Sequence, residues 1–183
     1  MKGKIRIIAG QWRGRKLSVP NKPGLRPTPD RVRETLFNWL TLCLPGSRCL
    51  DLFAGSGALG IEAASRGAKQ VLLVEKERDI VQNLKQQVAT FAADNLAILC
   101  TDARRFLEGA PSTFDIVFLD PPFGQDLLEP CCTLLEQRGW LSPHAHIYLE
   151  MERHLGKPCL PTSWQIIRHQ AAGQVVVFLA TRE

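Results

Sequence analysis

The sequence predicts an α/β fold, a doubly wound and mostly parallel sheet, on three observations. From residue 48 onward, short apolar runs with strand character alternate with segments of helical spacing, an order that demands parallel strands with helices on both faces. A glycine-rich loop, Gly55-Ser56-Gly57-Ala58-Leu59-Gly60, follows the first of these runs and opens into a helix. Four successive runs end at an acid or beside one: Asp51, Glu75, Asp102 and Asp120. In such sheets ligands bind beyond the carboxyl ends of the strands.

Taken in order, residues 4–19 read as a short hairpin, with Ile5-Arg6-Ile7-Ile8 and Lys16-Leu17-Ser18-Val19 flanking a turn around Gly10 to Gly14. Pro20, Pro23, Pro27 and Pro29 make 20–29 a rigid loop. Thr28 or Asp30 is placed to cap a helix over 30–42, where Val32, Leu36, Trp39 and Leu40 have helical spacing, and Pro45-Gly46 ends it. Strands are expected at 49–53, 70–74, 97–101, 114–119 and 146–150, and helices at 58–66, 77–91, 103–108 and 126–138. A closing hairpin pairs 164–169 with 174–180 across Ala171-Ala172-Gly173. With 183 residues and 45% apolar content, the chain fits one domain with a short extension.

Composition excludes several classes. No run of 18 apolar residues exists, so no membrane span is expected, and the basic N-terminus lacks the apolar stretch of a secretory signal. The six cysteines form no C-x-x-C pair and read as buried reduced thiols of a cytoplasmic protein; neither they nor the four histidines have metal-ligand spacing. Charge is uneven. Residues 1–33 hold ten Lys and Arg against one acid, a net of +9, whereas the other 150 residues hold thirteen against seventeen, a net of −4. A basic arm on a mildly acidic body suits nucleic acid; a solvated tail is the plainer alternative. Arg6, Arg13, Arg15 and Lys16, with Trp12 as a stacking face, are the RNA-contact candidates in the arm.

Asp120-Pro121-Pro122-Phe123 directly follows the strand at 114–119. Each proline fixes φ and removes a donor, which frees backbone carbonyls to accept from a ligand. Asp120 supplies a further acceptor and Phe123 a stacking face, so the turn can grip a planar base by its exocyclic amine. The glycine loop literally matches G-x-G-x-x-G, but Asp51 lies four residues before its first glycine and would repel a pyrophosphate. The same carboxylate favours a cation. A ligand with a positive centre, a ribose and an adenine satisfies the series: Asp51 and the loop of Phe53, Gly55 and Gly57 face a sulfonium-bearing amino acid, Glu75 takes the ribose hydroxyls, Asp102 with the Ala103 backbone reads the adenine, and Asp120 faces the substrate. That ligand is S-adenosylmethionine. Asp102 fits equally as the cap of the helix at 103, and Glu150 reads as a solvated strand end.

Asp51-Leu-Phe-Ala-Gly-Ser-Gly57, Glu75, Asp102 and Asp120-Pro-Pro-Phe123 together resemble the class I amino-methyltransferases. Ile7-Ile-Ala-Gly10, Arg13-Gly-Arg-Lys-Leu17 and the run Arg26-Pro-Thr-Pro-Asp-Arg-Val-Arg-Glu-Thr-Leu-Phe-Asn38 resemble the RsmD family, bacterial enzymes that methylate a guanine 2-amino group of 16S ribosomal RNA; Ala9 and Pro29 are small departures. The resemblance covers the whole chain. It implies a Rossmann-like seven-stranded sheet with an antiparallel last strand, a methyltransferase domain over 30–183 and an RNA-contacting extension over 1–29. It also implies catalysis at Asp120, Pro121, Pro122 and Phe123 without a metal. With so little room for a separate RNA-reading domain, the expected substrate is a 30S subunit or assembly intermediate and the expected state a monomer. Arg26, Thr28 and Arg31 fit either the cofactor carboxylate or the RNA, and Arg31 fits a pair with Glu34. A DNA adenine methyltransferase is the other enzyme reading, since the turn suits adenine equally; a binding module without catalysis and a nicotinamide oxidoreductase stand further off.

Overall fold

The computed structural model describes residues 3–19 and 28–183. Most of the proline loop, with Arg26, lies outside the described residues. The N-terminal hairpin pairs β1 (Lys4–Arg6) with β2 (Lys16–Ser18). The alternating region follows as α1 (Asp30–Trp39), β3 (Arg48–Asp51), α2 (Ala58–Ser65), β4 (Gln70–Glu75), α3 (Arg78–Ala89), β5 (Leu96–Cys100), α4 (Ala103–Leu107), β6 (Phe114–Leu119), α5 (Leu128–Gln137), β7 (Leu141–Glu152), β8 (Trp164–Ala172) and β9 (Val175–Arg182). The seven strands from β3 to β9 form one sheet in the order β5-β4-β3-β6-β7-β9-β8, and β9 runs antiparallel to both neighbours. The strand order reverses beside β3, where the loop after Asp51 opens.

The central strands are apolar throughout because both sheet faces are covered. On β6, Ile116 and Phe118 point into a core shared with α1, α2 and α3, while Val117 and Leu119 point into a second core under α4 and α5. Phe118 meets Phe37 of α1 and Tyr148 of β7, with ring centroids at 6.0 and 6.4 Å. Each such ring contributes about 1.5–3 kcal/mol by leaving water.

Several details differ from expectation, and α1 ends at Trp39, short of residue 42. β7 begins at Leu141, not residue 146, through an irregular stretch with Pro143 and with His144 at φ 60°, where the pairing with β6 shifts register; the polar run hides the strand. The closing hairpin turns on Gly173-Gln174, because Ala172 still pairs with Val175, and Gly173 takes the positive φ that a two-residue turn needs. α1 starts after Pro29 with no side-chain cap: Asp30 is drawn to the Arg33 guanidinium at 2.7 Å, and the Thr28 hydroxyl is turned toward acids elsewhere. Of the cysteines, Cys49, Cys131 and Cys132 are buried free thiols, but Cys100 and Cys159 are exposed. No helix among the described residues is long and apolar enough to cross a membrane.

The hairpin is fastened to the end of α2. Gly10, at φ +81°, lies so close to the Ser65 carbonyl that a Cβ would overlap it. The Gln11 and Trp12 amides donate to the Ser65 carbonyl and hydroxyl at 2.8 and 3.0 Å. Glu62, fully buried, accepts from the Ile8 and Ala9 amides at 2.8 and 3.0 Å and from Arg66 at 2.7 Å, and its Oε2 lies 3.6 Å from the equally buried Arg33 guanidinium. Glu62→Ala would strip Arg33 of its buried counter-charge, leaving it the half-exposed Asp30, and would leave two amides without their acceptor. The expected loss is about 3–5 kcal/mol in urea unfolding, far above the cost of an exposed Glu→Ala.

Candidate active site

Alternation along strands places the acids. Leu50, Val117 and Ile147 are register partners across β3, β6 and β7, as are Asp51, Phe118 and Tyr148. Asp51 therefore shares a face with Phe118 and Tyr148, and Asp120 and Glu150, two residues further along β6 and β7, emerge on that face as well. They open into a cavity of about 310 Å³ at the carboxyl ends of the strands, beneath the start of α1. Phe53, Gly55 and Glu75 line one side, Asp102 and Ala103 another, and Thr28, Asp120, Pro121, Pro122 and Phe123 the far end. A second, shallower hollow of about 860 Å³ meets the first along Pro121, Pro122, Phe123 and Glu150. Phe123 is 41% exposed, with a ring face available to a ligand.

Each acid is held. Asp51 Oδ2 accepts from the Gly60 amide at 3.0 Å. Glu75 accepts from the Gly55 amide through Oε2 at 3.0 Å and from Glu77 through Oε1 at 2.9 Å, which shapes the loop as well as the cavity wall. Asp102 caps α4, with Oδ1 accepting from the Arg104 and Arg105 amides at 2.9 and 3.2 Å; the capping alternative holds, and Oδ2 stays outside the cap. The Thr28 hydroxyl stands between Asp120 Oδ2 at 3.3 Å and Glu150 Oε2 at 3.4 Å, and the Tyr148 hydroxyl donates to Glu150 Oε2 at 2.8 Å.

Crowding acids in a dry site favours their neutral forms. Burial pushes the Asp51 carboxyl up to about 7 against the pull of the Gly60 and Phe53 amides, with Glu75 adding a smaller upward push. As an acceptor for an amine, Asp120 would serve best ionised. Burial, then Glu150, then Asp51 instead hold its carboxyl well above the usual carboxylate range, and only the Thr28 hydroxyl opposes. The Tyr148 phenol is raised too, by burial and then by Glu150 and Asp120, so it remains a donor. A cation entering the cavity would take the place of a proton and draw these acids to their charged forms.

The remaining sequence candidates divide. Gly55 lines the cavity, but Gly57 does not: at φ +78° it caps α2, and a Cβ there would meet Ile61 and Leu84 at 2.7 Å. Trp12 is 7% exposed and stacked on Phe91, ring centroids 4.9 Å apart, so its faces are spent in the core and it has none to offer RNA. Arg15 is exposed yet engaged, donating to the Thr90 carbonyl at 2.6 Å and lying 4.2 Å over the Phe91 ring. Arg6, Arg13, Lys16 and Arg31 are exposed. The residues that sequence reasoning missed are Glu150, dismissed as a solvated end but buried, and its partner Tyr148. The signal was present: Glu150 follows β7's apolar run as Asp120 follows β6's. Among the described residues, no group of three or more His, Cys, Asp or Glu could hold a metal ion.

A family model described as conserved hypothetical protein 95 matches residues 5–181. The chain belongs to this family, the RsmD family. This RsmD member is 51% identical over 181 residues to ribosomal RNA small subunit methyltransferase D of Escherichia coli (strain K12), covering 99% of this chain and 91% of that protein. It is 45% identical over 179 residues to the Haemophilus influenzae (strain ATCC 51907 / DSM 11121 / KW20 / Rd) protein of the same name, covering 95% and 92%. The solved structure of yhhF from Escherichia coli superposes with a TM-score of 0.93 at 49% identity over 99% of both chains. An RsmD-family chain is a methyltransferase, and its cavity is the place to look for the chemistry.

The raised Asp51 carboxyl has a consequence for stability. The folded protein holds this proton from about 3.8 to about 7 while the unfolded chain releases it, so stability falls as pH rises through that window. Asp51→Asn cannot titrate. Its melting temperature is expected to climb by several degrees relative to the parent protein between pH 4 and pH 7, and a difference flat with pH would place the carboxyl in its ordinary range.

Proposed function

We propose that the chain transfers a methyl group from S-adenosylmethionine to the exocyclic 2-amino group of a guanine in 16S ribosomal RNA, acting in the cytoplasm on a 30S subunit or an assembly intermediate. The observation that carries this reading is the line of strand-end acids that begins at the glycine loop and finishes at Asp120-Pro121-Pro122-Phe123, in a chain of the RsmD family. Family membership also weighs against DNA adenine as the substrate, and the acid-lined cavity against a nicotinamide dinucleotide, whose pyrophosphate it would repel.

S-adenosylmethionine, when bound, supplies a methyl carbon on a positively charged sulfur, and the C–S bond breaks with its electron pair left on sulfur as the new N–C bond forms. Asp51 faces that charge, with Phe53 and Gly55 as walls. Glu75 takes the ribose hydroxyls, and Asp102 with the Ala103 backbone takes the adenine edge. Thr28 closes the cavity over Asp120. Asp120 and the Pro121 carbonyl accept the hydrogens of the guanine amine, drawing its lone pair out of conjugation. A sulfonium in the cavity would draw Asp120 back to its carboxylate, and a carboxylate whose acid is held above its usual range is the stronger base, so Asp120 takes the proton that the nitrogen gives up. Pro122 keeps the turn rigid and Phe123 stacks on the extruded base. Orientation of this kind is worth up to about 7–11 kcal/mol. Arg6, Arg13, Lys16 and Arg31 hold phosphates.

Methyl transfer from labelled S-adenosylmethionine to 30S subunits lacking the modification, to naked 16S RNA and to double-stranded DNA tests the reading. Label in 2-methylguanine of the 30S arm is expected; label in 6-methyladenine of DNA would overturn it. Asp120→Ala is expected to lower kcat by about 10²-fold or more while cofactor affinity changes far less. Arg13→Ala with Lys16→Ala is expected to flatten the slope of log K against log salt by roughly two phosphate contacts' worth.

A further inference from the structure

Two neighbouring strands, not one, deliver a carboxylate to the place that the reading above gives the base. Leu119 and Leu149 are register partners, so the residues after them, Asp120 and Glu150, stand side by side on neighbouring parallel strands. The Thr28 hydroxyl spans the pair, 3.3 Å from one and 3.4 Å from the other. Glu150 is 5% exposed, and the Tyr148 hydroxyl fixes its orientation at 2.8 Å. Burying a second carboxylate against the first is costly, and a position inside β7, which runs on to Glu152, would pack more cheaply with a neutral residue. Glu150 also stands where the two hollows meet, facing both the cofactor cavity and the adjoining groove. The roles given to Asp120 and Pro121 leave it unused.

The chemistry of the bases separates at this point. In guanine the 2-amino group sits next to N1–H, two donors on one edge. In adenine the 6-amino group sits next to N1 with a lone pair, a donor beside an acceptor. An acid adjacent to the one that grips the amine therefore rewards guanine and repels adenine. We propose that Glu150 is the specificity-determining residue of the site, accepting the N1–H of the target guanine while Asp120 and Pro121 hold its 2-amino group. The inference rests on the methyl-transfer reading above and supplies the base discrimination that the Asp-Pro-Pro-Phe turn lacks.

The test compares guanine with 2-aminopurine at the mapped target position of 16S RNA reconstituted into 30S subunits. The analogue keeps the 2-amino group but presents a lone pair at N1. The unaltered enzyme is expected to favour guanine in kcat/KM by at least about tenfold, the penalty of facing a built acceptor with another acceptor. Glu150→Gln, whose amide can donate to N1, is expected to shrink that ratio by about tenfold or to invert it. A residue that only supports the fold or Thr28 would slow both substrates alike, and an unchanged ratio with both rates lowered overturns the proposal. Should Glu150→Gln not fold, Tyr148→Phe, which releases the carboxylate from its fixed orientation, carries the same comparison with a smaller expected drop, and an unchanged ratio there overturns it equally. Absence of 2-methylguanine from the unaltered enzyme on the guanine substrate would instead remove the underlying methyl-transfer reading, an outcome distinct from a failed ratio.

Discussion

The pairing Leu50↔Val117↔Ile147 locks three parallel strands into one register, and the two-residue period of a strand does the rest. Asp51, Asp120 and Glu150 converge because each has the parity of a residue buried toward α1. A slip of one residue on β6 would turn Asp120 to the α4–α5 side and bring Leu119 into the cavity. The apolar cores on both faces forbid that slip, since Ile116, Phe118, Val117 and Leu119 would all exchange environments. The site is thus held by the packing of side chains that never touch a ligand.

Convergence has an electrostatic cost. Burial is the first cause that pushes Asp51 and Asp120 upward; Glu75 adds to the shift of Asp51, and Glu150 and then Asp51 add to that of Asp120. The backbone offsets part of this through the Gly60 amide on Asp51 and the Gly55 amide on Glu75. In the empty cavity a proton relieves the remainder, and a cationic ligand would do so in its place.

Much of this was legible in the sequence because it rests on local, periodic signals. The alternation from residue 48, the limits of β6 and the order of strand-end acids follow from patterns a few residues long. What was hidden depends on distant partners. Arg33 counts as arm charge in the sequence, yet it is buried against Glu62, twenty-nine positions away. Trp12 sits among glycines and arginines like an RNA-stacking residue, but Phe91 claims its ring. Thr28 looked like a helix cap until Asp120 and Glu150 supplied other partners. Gly57 matched a ligand-approach motif and serves a tight turn over Ile61 and Leu84 instead. Glu150 was undervalued because its likeness to Asp120, an acid after an apolar run, gains weight only once β7 is seen to lie beside β6.

The fastening of the hairpin to α2 sets an order on folding. Its amides bond to groups fifty-three and fifty-four positions later in the chain, and Trp12 rests on Phe91. The basic arm is therefore made before α2 and α3 and has nothing to close upon until they have emerged. At about 5–20 residues per second this leaves it unfastened for several seconds. Non-local closure of this sort also slows refolding. The part of the chain richest in positive charge is made before the elements that order it.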